Sequence, residues 1–303
     1  MNVNIIIAIL ILIIFIISYL STQYGVKIAL MSKRKSSEQM IDELFSNFEI
    51  DYKSYKNLDI EEVTIKSEDK LQLRGFYHNI YPQSKKVIII NHGYTANHYV
   101  AYQFIDIFIE EGYNVLLIDM RSHGQSEGTI ASYGYHESKD IGCWVDYVKE
   151  RIGEDAYIGL HGQSMGASTV LIYAGNNENK VRFVIEDCGF SNAKEAMKFQ
   201  FKQGKIPFYP IYELIRLSIR RNFGFDLNNI SPKEDILKSN IPVLFIHGDD
   251  DEIVPSYMAR EMYESKGGKK DMLYIAYGAK HMKSCVSNRE MYKDNIKRFL
   301  ENL

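Results

Sequence analysis

The 303-residue sequence predicts an α/β fold in which a mostly parallel sheet carries helices on both faces, preceded by an N-terminal transmembrane helix. Two observations predict the sheet. Short continuous runs of aliphatic and β-branched residues recur along the chain, as in strands that are buried on both faces. Segments with helical spacing lie between these runs, and strand–helix alternation is typical of a parallel sheet. A nearly unbroken apolar run at residues 5–20 predicts the membrane helix.

The predicted strands begin with an alternating pair and continue with buried runs. Residues 61–66 and 71–78 alternate polar and apolar side chains, which is typical of half-buried strands joined by a short turn. We expect this pair to form an antiparallel edge. The buried strands are predicted at 87–90, 114–119, 156–160, 181–186 and 242–246, with a last strand at 272–276. The predicted helices are 99–111, 137–151, 165–174, 256–266 and 288–303.

A long connection between the strands at 181–186 and 242–246 predicts a helical cap at about residues 190–238, because such excursions in compact domains are usually functional. Two cap helices are expected, at 192–203 and 210–221. The connection is basic and aromatic, with Lys194, Lys198, Lys202, Lys205, Arg216, Arg220, Arg221, Phe199, Phe201, Phe208, Tyr209 and Tyr212 against Glu195 and Glu213. We interpret it as a lid whose aromatic side chains face a pocket and whose basic face is solvated. The alternative is a basic face that rests on anionic lipid.

The apolar run at the N-terminus approaches the roughly 20 residues that span a bilayer as a helix. Residues 1–24 are therefore interpreted as a transmembrane anchor, residues 25–60 as a linker and residues 61–303 as the folded domain. A cleaved signal peptide is the first alternative, but no Lys or Arg precedes the run and no small-x-small site follows it closely. A buried core helix is the second alternative, and the uniformly apolar composition disfavours it.

The charges that flank the apolar run predict its orientation. Residues 1–4 carry no basic side chain, whereas Lys27, Lys33, Arg34 and Lys35 follow the run. The positive-inside tendency then places the folded domain in the cytoplasm. The three cysteines are an odd and sparse set that fits a reducing compartment.

Composition and spacing argue against two other classes of function. A net charge of −3 gives no reason to expect nucleic-acid binding. Cys143, Cys188 and Cys285 show no C-x-x-C or Cys/His ligand spacing, and no histidine pair has the H-E-x-x-H pattern. We therefore expect neither a metal nor an organic cofactor.

The strongest chemical motif is Gly162-Gln163-Ser164-Met165-Gly166, which follows a predicted buried strand and precedes a predicted helix. This G-x-S-x-G pattern is typical of the sharp turn that exposes a nucleophilic serine at the edge of a parallel sheet. Glycines are needed on both sides of the serine to avoid clashes. The alternative is an ordinary glycine-bounded helix start, and the strand–turn–helix setting favours the nucleophile, Ser164.

Three further loops offer the other groups that acyl transfer by a serine requires. His92-Gly93-Tyr94 follows the strand at 87–90, so the backbone amide of Tyr94 is a candidate oxyanion donor beside that of Met165. His92 itself is interpreted as ordering the loop. The loop after the strand at 242–246 carries three adjacent aspartates, 249–251, which chemistry alone does not separate. His281, on the loop after the last strand, is the candidate base.

The region from about residue 61 to 303 resembles the α/β-hydrolase superfamily. It looks closest to membrane-anchored bacterial hydrolases of the serine aminopeptidase S33-like and BEM46-like branch. The resemblance rests on Asn91-His92-Gly93, Asp119-Met120-Arg121-Ser122-His123-Gly124-Gln125-Ser126, the turn at Ser164, the aspartate loop and Lys280-His281.

The family pattern implies that Asp251, the third residue after His247-Gly248 and close before Val254-Pro255, is the acid. Ser122 stands where the family usually has glycine, a mild departure. The resemblance also implies that the segment from Asp119 to His123 is scaffold, and that the cap is variable.

Together these residues predict a serine hydrolase that cleaves a carboxylic ester through a Ser164–His281–Asp251 triad and an acyl-enzyme. A small-molecule or lipid-like acyl compound is the expected substrate, and esterase chemistry is expected over peptidase chemistry. A peptidase or aminopeptidase that acts on short peptides is the alternative enzyme, because the same triad cleaves amides and fold does not fix substrate. A non-catalytic membrane-tethered binding protein is the alternative outside enzymes.

Overall fold

The computed structural model describes residues 3–31, 36–48 and 60–303. Its centre is an eight-stranded sheet in the order β1-β2-β4-β3-β5-β6-β7-β8, in which β2 pairs antiparallel with both β1 and β4 and all other pairs are parallel. The strands are β1 Ile60–Lys66, β2 Gln72–His78, β3 Lys86–Asn91, β4 Asn114–Ile118, β5 Tyr157–Gln163, β6 Phe183–Asp187, β7 Val243–Gly248 and β8 Met272–Ala276. The predicted mostly parallel sheet with an antiparallel edge is confirmed.

The central strands are continuously apolar because both faces of the sheet are covered. In β3, Val87 and Ile89 join the core on one face, whereas Ile88 and Ile90 join the core on the other face. All four side chains are buried. Period-two alternation of a strand therefore delivers apolar side chains to two separate cores, which is the physical reason for the short apolar runs in the sequence.

Helices lie along both faces of the sheet and at its edges. In chain order they are α1 Val3–Leu30, α2 Ser37–Phe48, α3 Ile105–Glu110, α4 Glu137–Ile152, α5 Met165–Asn176, α6 Ala193–Gln203, α7 Ile211–Phe223, α8 Pro232–Ile236, α9 Tyr257–Lys266, α10 Ser284–Ser287 and α11 Arg289–Glu301. The α4, α5, α9 and α11 helices fall within a few residues of the predicted segments.

The segment predicted as one helix at 99–111 is divided. It begins as a 3₁₀ helix at His98–Phe104 and continues as α3. Asn97 caps this start by accepting a hydrogen bond from the amide of Tyr99. A tertiary contact reinforces it, because the buried Asp119 carboxylate accepts hydrogen bonds from both the backbone amide and the ring Nδ1 of His98. Asp119 lies directly after β4, and the helical periodicity of residues 99–111 does not predict its contact with His98.

The cap lies between β6 and β7, where the sequence predicts it. It contains α6, α7, a short 3₁₀ turn at Leu227–Asn229 and α8. Asn192 caps α6 by accepting hydrogen bonds from the amides of Lys194 and Glu195, and Gly224 ends α7 in the left-handed conformation. The start of α6 and the end of α7 therefore lie at residues suited to those positions.

The N-terminal helix α1 is 28 residues long, and its apolar stretch Asn4–Leu30 is, within the described ranges, the one helix that is long and apolar enough to span a membrane. The predicted anchor boundary at residue 24 falls inside this helix, which continues to Leu30. Lys33, Arg34 and Lys35, which the orientation argument uses, lie outside the described residues. The following helix α2 buries Met40 in a cluster with Ala96 and Val100.

Candidate active site

Ser164 lies on the sharp turn between β5 and α5. Its backbone has φ 56° and ψ −121°, a left-handed conformation that non-glycine residues rarely adopt. A Cβ atom on Gly162 would lie 2.4 Å from the carbonyl oxygen of Gly166, and one on Gly166 would lie 2.4 Å from that of His92. The expectation that both glycines are needed is confirmed, because the turn brings backbone against backbone.

Ser164, His281 and Asp251 form one continuous chain of hydrogen bonds. Ser164 Oγ lies 2.8 Å from His281 Nε2, and His281 Nδ1 lies 2.7 Å from Asp251 Oδ2. An ionised carboxylate only accepts, so Nδ1 carries the ring hydrogen and Nε2 is left to accept from the serine hydroxyl. The structure thus brings together the three residues that the sequence placed on three different loops.

Only one of the three adjacent aspartates reaches the histidine. The carboxylate of Asp251 also accepts hydrogen bonds from the amides of Ile253 and Val254, both at 2.8 Å, which fix its orientation. Asp249 instead accepts from the amide of Gly278, and Asp250 is exposed. Geometry separates these aspartates where composition does not.

A second histidine, His247 at the end of β7, contacts the same carboxylate. Its Nε2 lies 2.8 Å from the carbonyl oxygen of Val254 and 3.2 Å from Asp251 Oδ2. Burial opposes ionisation of Asp251, but the hydrogen bonds and charges of His247 and His281 outweigh it and hold the carboxyl pKa well below its usual range. The sequence motifs did not assign a role to His247, and the available signal was its position at a buried strand end four residues before Asp251.

The amides of Tyr94 and Met165 lie on the two loops that flank the serine. Met165 is the first residue of α5, and a Cβ atom on Gly93, directly before Tyr94, would lie 3.2 Å from the Cβ atom of Ser164. Within the described part of the chain, neither amide donates to a protein acceptor. Both N–H groups are therefore free to donate to a ligand near the serine.

His92 and Asp119 lie in the scaffold beneath this turn. His92 Nε2 accepts a hydrogen bond from the amide of Met120, and burial lowers the pKa of the ring to about 3, so the ring is neutral. Asp119 binds His98 and the amide of Gln125 and does not contact His281. These contacts join the loops after β3 and β4, which fits the loop-ordering interpretation of His92.

A metal ion is a poor fit to the thiol and carboxylate near the base. Cys188, Asp251 and His281 offer ligand atoms within 4.8 Å of one another. Burial raises the pKa of the Cys188 thiol well above its usual value, and the thiolate is the form that binds metals. Asp251 Oδ2 and His281 Nδ1 are already hydrogen-bonded to each other, so they are not available as metal ligands.

Ser164 opens onto a cavity of about 580 Å³ under the cap. This volume falls within the range of about 300–1,000 Å³ that is typical of small-molecule sites. The lining is Tyr24, Gly25, Ile28, Ala29, Tyr94, Tyr133, Ser164, Met165, Phe190, Ala196, Met197, Gln200, Phe201, Ile206, Ile211, Tyr212, Ile215, Ile253 and Val254. None of these described lining residues carries a charge, so the cavity suits an apolar ligand.

The cap contributes aromatic side chains to this cavity, as predicted for Phe201 and Tyr212. Phe208 stacks on Tyr212 with ring centroids 4.5 Å apart, and Tyr209 is exposed. Part of the basic character of the cap is neutralised, because Arg216 forms ion pairs with Asp226 and Glu213. The cap is therefore apolar towards the serine and carries its charge elsewhere.

The sheet order, the strained serine turn and the cap after β6 define the class of α/β hydrolases. A sequence model described as alpha/beta hydrolase fold matches residues 86–209. The protein YqkD of Bacillus subtilis (strain 168) is 33% identical over 276 residues, 90% of each chain. The chain belongs to the α/β-hydrolase family.

More distant relatives agree with a BEM46-like branch. Protein bem46 of Schizosaccharomyces pombe is 22% identical over 77% of this chain and 74% of its own length. The lysophosphatidylserine lipase ABHD12 of Danio rerio is 26% identical over 65% of this chain and 51% of its own length. The esterase Pf2001 of Pyrococcus furiosus shares the fold with a TM-score of 0.69 and 23% identity, over 90% of this chain and 97% of that one.

Proposed function

We propose that this protein hydrolyses carboxylic esters with an apolar acyl group, including lipid-like esters, through an acyl-enzyme on Ser164. The observation that carries the proposal is the hydrogen-bonded chain from Asp251 through His281 to Ser164, whose serine lines an apolar cavity. Both features are needed, because the first activates a serine and the second admits an acyl chain.

In this mechanism His281 Nε2 takes the proton of Ser164 as Oγ attacks the ester carbonyl carbon. The amides of Tyr94 and Met165 bind the oxyanion, and Asp251 holds the imidazole in the productive tautomer. The tetrahedral intermediate collapses, the ester C–O bond breaks, and the alcohol leaves with the proton from His281. Water then gives a proton to His281, attacks the acyl group, and releases the acid as Ser164 regains its hydrogen.

The uncharged lining disfavours the aminopeptidase alternative. The free ammonium group of a peptide would lose its hydration in this cavity, and no carboxylate among the described lining residues would replace it. An ester with an aliphatic acyl chain loses little hydration there and gains apolar contact. The proposed substrate is therefore an ester rather than a short peptide, and no cofactor takes part.

The test uses the full chain in lipid nanodiscs with a fluorophosphonate probe. Labelling is expected in the native protein and in Ser287→Ala, an exposed serine on α10, and is expected to vanish in Ser164→Ala. A panel of p-nitrophenyl esters and aminoacyl anilides then compares ester with amide cleavage. Retained labelling of Ser164→Ala would refute the nucleophile, and faster anilide cleavage would favour the peptidase.

For the N-terminal helix we propose a single-pass anchor with the folded domain on the cytoplasmic side. Lys27 and the basic residues 33–35 follow the apolar run at residues 5–20, and residues 1–4 carry no basic side chain. Protease treatment of intact and permeabilised cells tests the orientation. We expect the protease to digest the domain only after the membrane is permeabilised. Digestion in intact cells would show the opposite orientation.

A further inference from the structure

The last two turns of α1 belong to the folded hydrolase domain. Val26 and Leu30 are buried in the same apolar cluster as the cap residue Ile219. The carbonyl oxygen of Leu30 accepts a hydrogen bond from the amide of Ala131 at 2.7 Å, and that of Ala29 accepts from the Tyr133 hydroxyl at 3.0 Å. The end of the helix is thus held by both side-chain packing and backbone hydrogen bonds.

The same turns pack closely against the cap helix α7. Gln23 Nε2 donates to Ser218 Oγ at 3.2 Å, and a Cβ atom on Gly25 would lie 2.7 Å from Ile215 Cδ1. As α1 advances from 23 to 25, its contacts move back along α7, so the two helices run antiparallel. The absence of a side chain at Gly25 allows this close approach.

The length of α1 places these turns at a membrane surface. At 1.5 Å per residue, 28 residues make a helix of about 42 Å, whereas the hydrocarbon core of a bilayer is about 30 Å thick. About eight residues therefore extend beyond the core when the N-terminal part spans it. With residues 3–22 spanning the core, those eight are residues 23–30, which would then pass through the headgroup region.

These turns also line the cavity that holds Ser164. Tyr24, Gly25, Ile28 and Ala29 form one wall of it. Tyr24 and Ile28 are at the same time exposed at the surface. The cavity therefore reaches the surface beside the helix, at the level where α1 leaves the bilayer.

The exposed face of α7 beside this opening is apolar as far as Leu217, and the exposed Arg220 and Arg221 follow in the last turn. Ile211, Leu214 and Leu217 recur every three residues and are exposed, while Ile215 and Ile219 on the other face are buried. A helix on the surface of a soluble domain normally presents polar residues to solvent. Apolar side chains on both faces fit a helix that touches the boundary between headgroups and acyl chains.

We propose that the last two turns of α1 are a wall of the acyl-chain pocket, and that the acyl chain of a membrane-resident ester enters the cavity from the bilayer along α1. This inference rests on the proposed ester hydrolysis at Ser164. The anchor helix then acts in substrate selection as well as attachment, because Ile28 contacts the bound chain.

The experiment compares Ile28→Ala with the matched control Ile17→Ala in the full chain in nanodiscs. The two residues are eleven positions apart, three turns along the same face of α1, and their exposed fractions are 61% and 58%. The readout is the rate at which Ser164 is labelled by a dodecyl fluorophosphonate, divided by the rate with an ethyl fluorophosphonate. The ratio removes differences in amount and folding between variants.

The ratio is expected to fall about tenfold in Ile28→Ala, because apolar contact with the long chain is lost, and to stay unchanged in Ile17→Ala. An unchanged ratio in Ile28→Ala would contradict the proposal that α1 forms a wall of the acyl-chain pocket, without contradicting ester hydrolysis at Ser164. An equal fall in both variants would also overturn it, since the effect would then belong to the bilayer. If neither probe labels the native protein, the proposed function fails and this inference fails with it.

Discussion

The Nε2 atom of His247 lies 3.2 Å from the same Asp251 oxygen that accepts the hydrogen bond of His281. The acid of the proposed triad is thus held by two histidines, His247 near the end of β7 and His281 on the loop after β8. Backbone amides of Ile253 and Val254 hold its other oxygen. The carboxylate is buried and fully oriented before any substrate binds, which is the arrangement that electrostatic catalysis favours.

Asp251→Asn should reduce kcat by about 10⁴-fold without unfolding the protein, because an amide in place of the carboxylate favours the wrong tautomer of His281. Asp250→Asn is the matched control and should keep native activity, since Asp250 is exposed and does not contact the histidine. Turnover of a p-nitrophenyl ester measures both. Equal activity of the two variants would exclude Asp251 as the acid.

His247→Leu should lower kcat/KM about tenfold, because the loss of one hydrogen bond to a charged group costs about 1.5–3 kcal/mol and loosens Asp251. His247→Gln keeps a donor and should recover part of the loss. The comparison separates a positioning role from bulk packing, because leucine and glutamine both fill the site. Equal rates for the two variants would show that the hydrogen bond has no catalytic effect.

Stability should decrease as pH rises through the range in which Glu186 ionises. Burial, with a smaller contribution from the neighbouring Asp187 carboxylate, raises the pKa of Glu186 to about 8 from an ordinary value of 4.5, although the charge of His247 acts in the opposite direction. The folded protein therefore binds this proton more tightly than the unfolded chain does. The stabilisation is fully present below about pH 4.5 and is lost as pH rises through 8. This pKa shift corresponds to a contribution of at most about 5 kcal/mol to the free energy of unfolding.

In the native protein Glu186 Oε1 accepts a hydrogen bond from the amide of Gly189. Glu186→Gln removes the titratable group and keeps a side-chain oxygen that can accept this hydrogen bond. The melting temperature of the native protein should therefore fall relative to Glu186→Gln between pH 5 and pH 8.5. Glu154→Gln, at an exposed site, should follow the native protein. Parallel curves for all three proteins would contradict a proton held by Glu186.

Gly166→Ala should destabilise the protein by about 1–3 kcal/mol or more, because a Cβ atom there would lie 2.4 Å from the carbonyl oxygen of His92. Gly204→Ala is the control, since its Cβ atom would have no neighbour nearer than 3.4 Å. Thermal unfolding in detergent compares the two. A native melting temperature for Gly166→Ala would mean that the serine turn is less tightly packed than described.

Much of the fold could be predicted because local chemistry and the final environment agree. The runs around Ile88 and Leu116 are apolar on both faces, and the structure covers both faces. The contacts of Asp119 with His98 at the start of the divided helix could not be predicted, because they join residues that are 21 positions apart along the chain. Propensity is overridden where a distant group supplies the stronger interaction.

For the candidate site, sequence motifs located Ser164 and His281, and the family pattern selected Asp251. The pairing of Asp251 with His247 was indicated only by the position of His247 at a buried strand end, and the contribution of Tyr133 and Ile28 to the cavity left no mark in the sequence. A motif records residues that lie close together along the chain. A cavity wall collects residues from separate elements, so its members share a location without sharing a pattern.

The sequence by itself determined most of the strand and helix pattern, the serine turn and the presence of an apolar N-terminal helix, because each depends on residues within a few positions of one another. Only the tertiary structure decided that the end of α1 packs on α7 and that its residues face Ser164. The physical reason is that Gly25 and Ile215 meet by packing across 190 positions of chain, and close packing depends on the shapes of both surfaces at once.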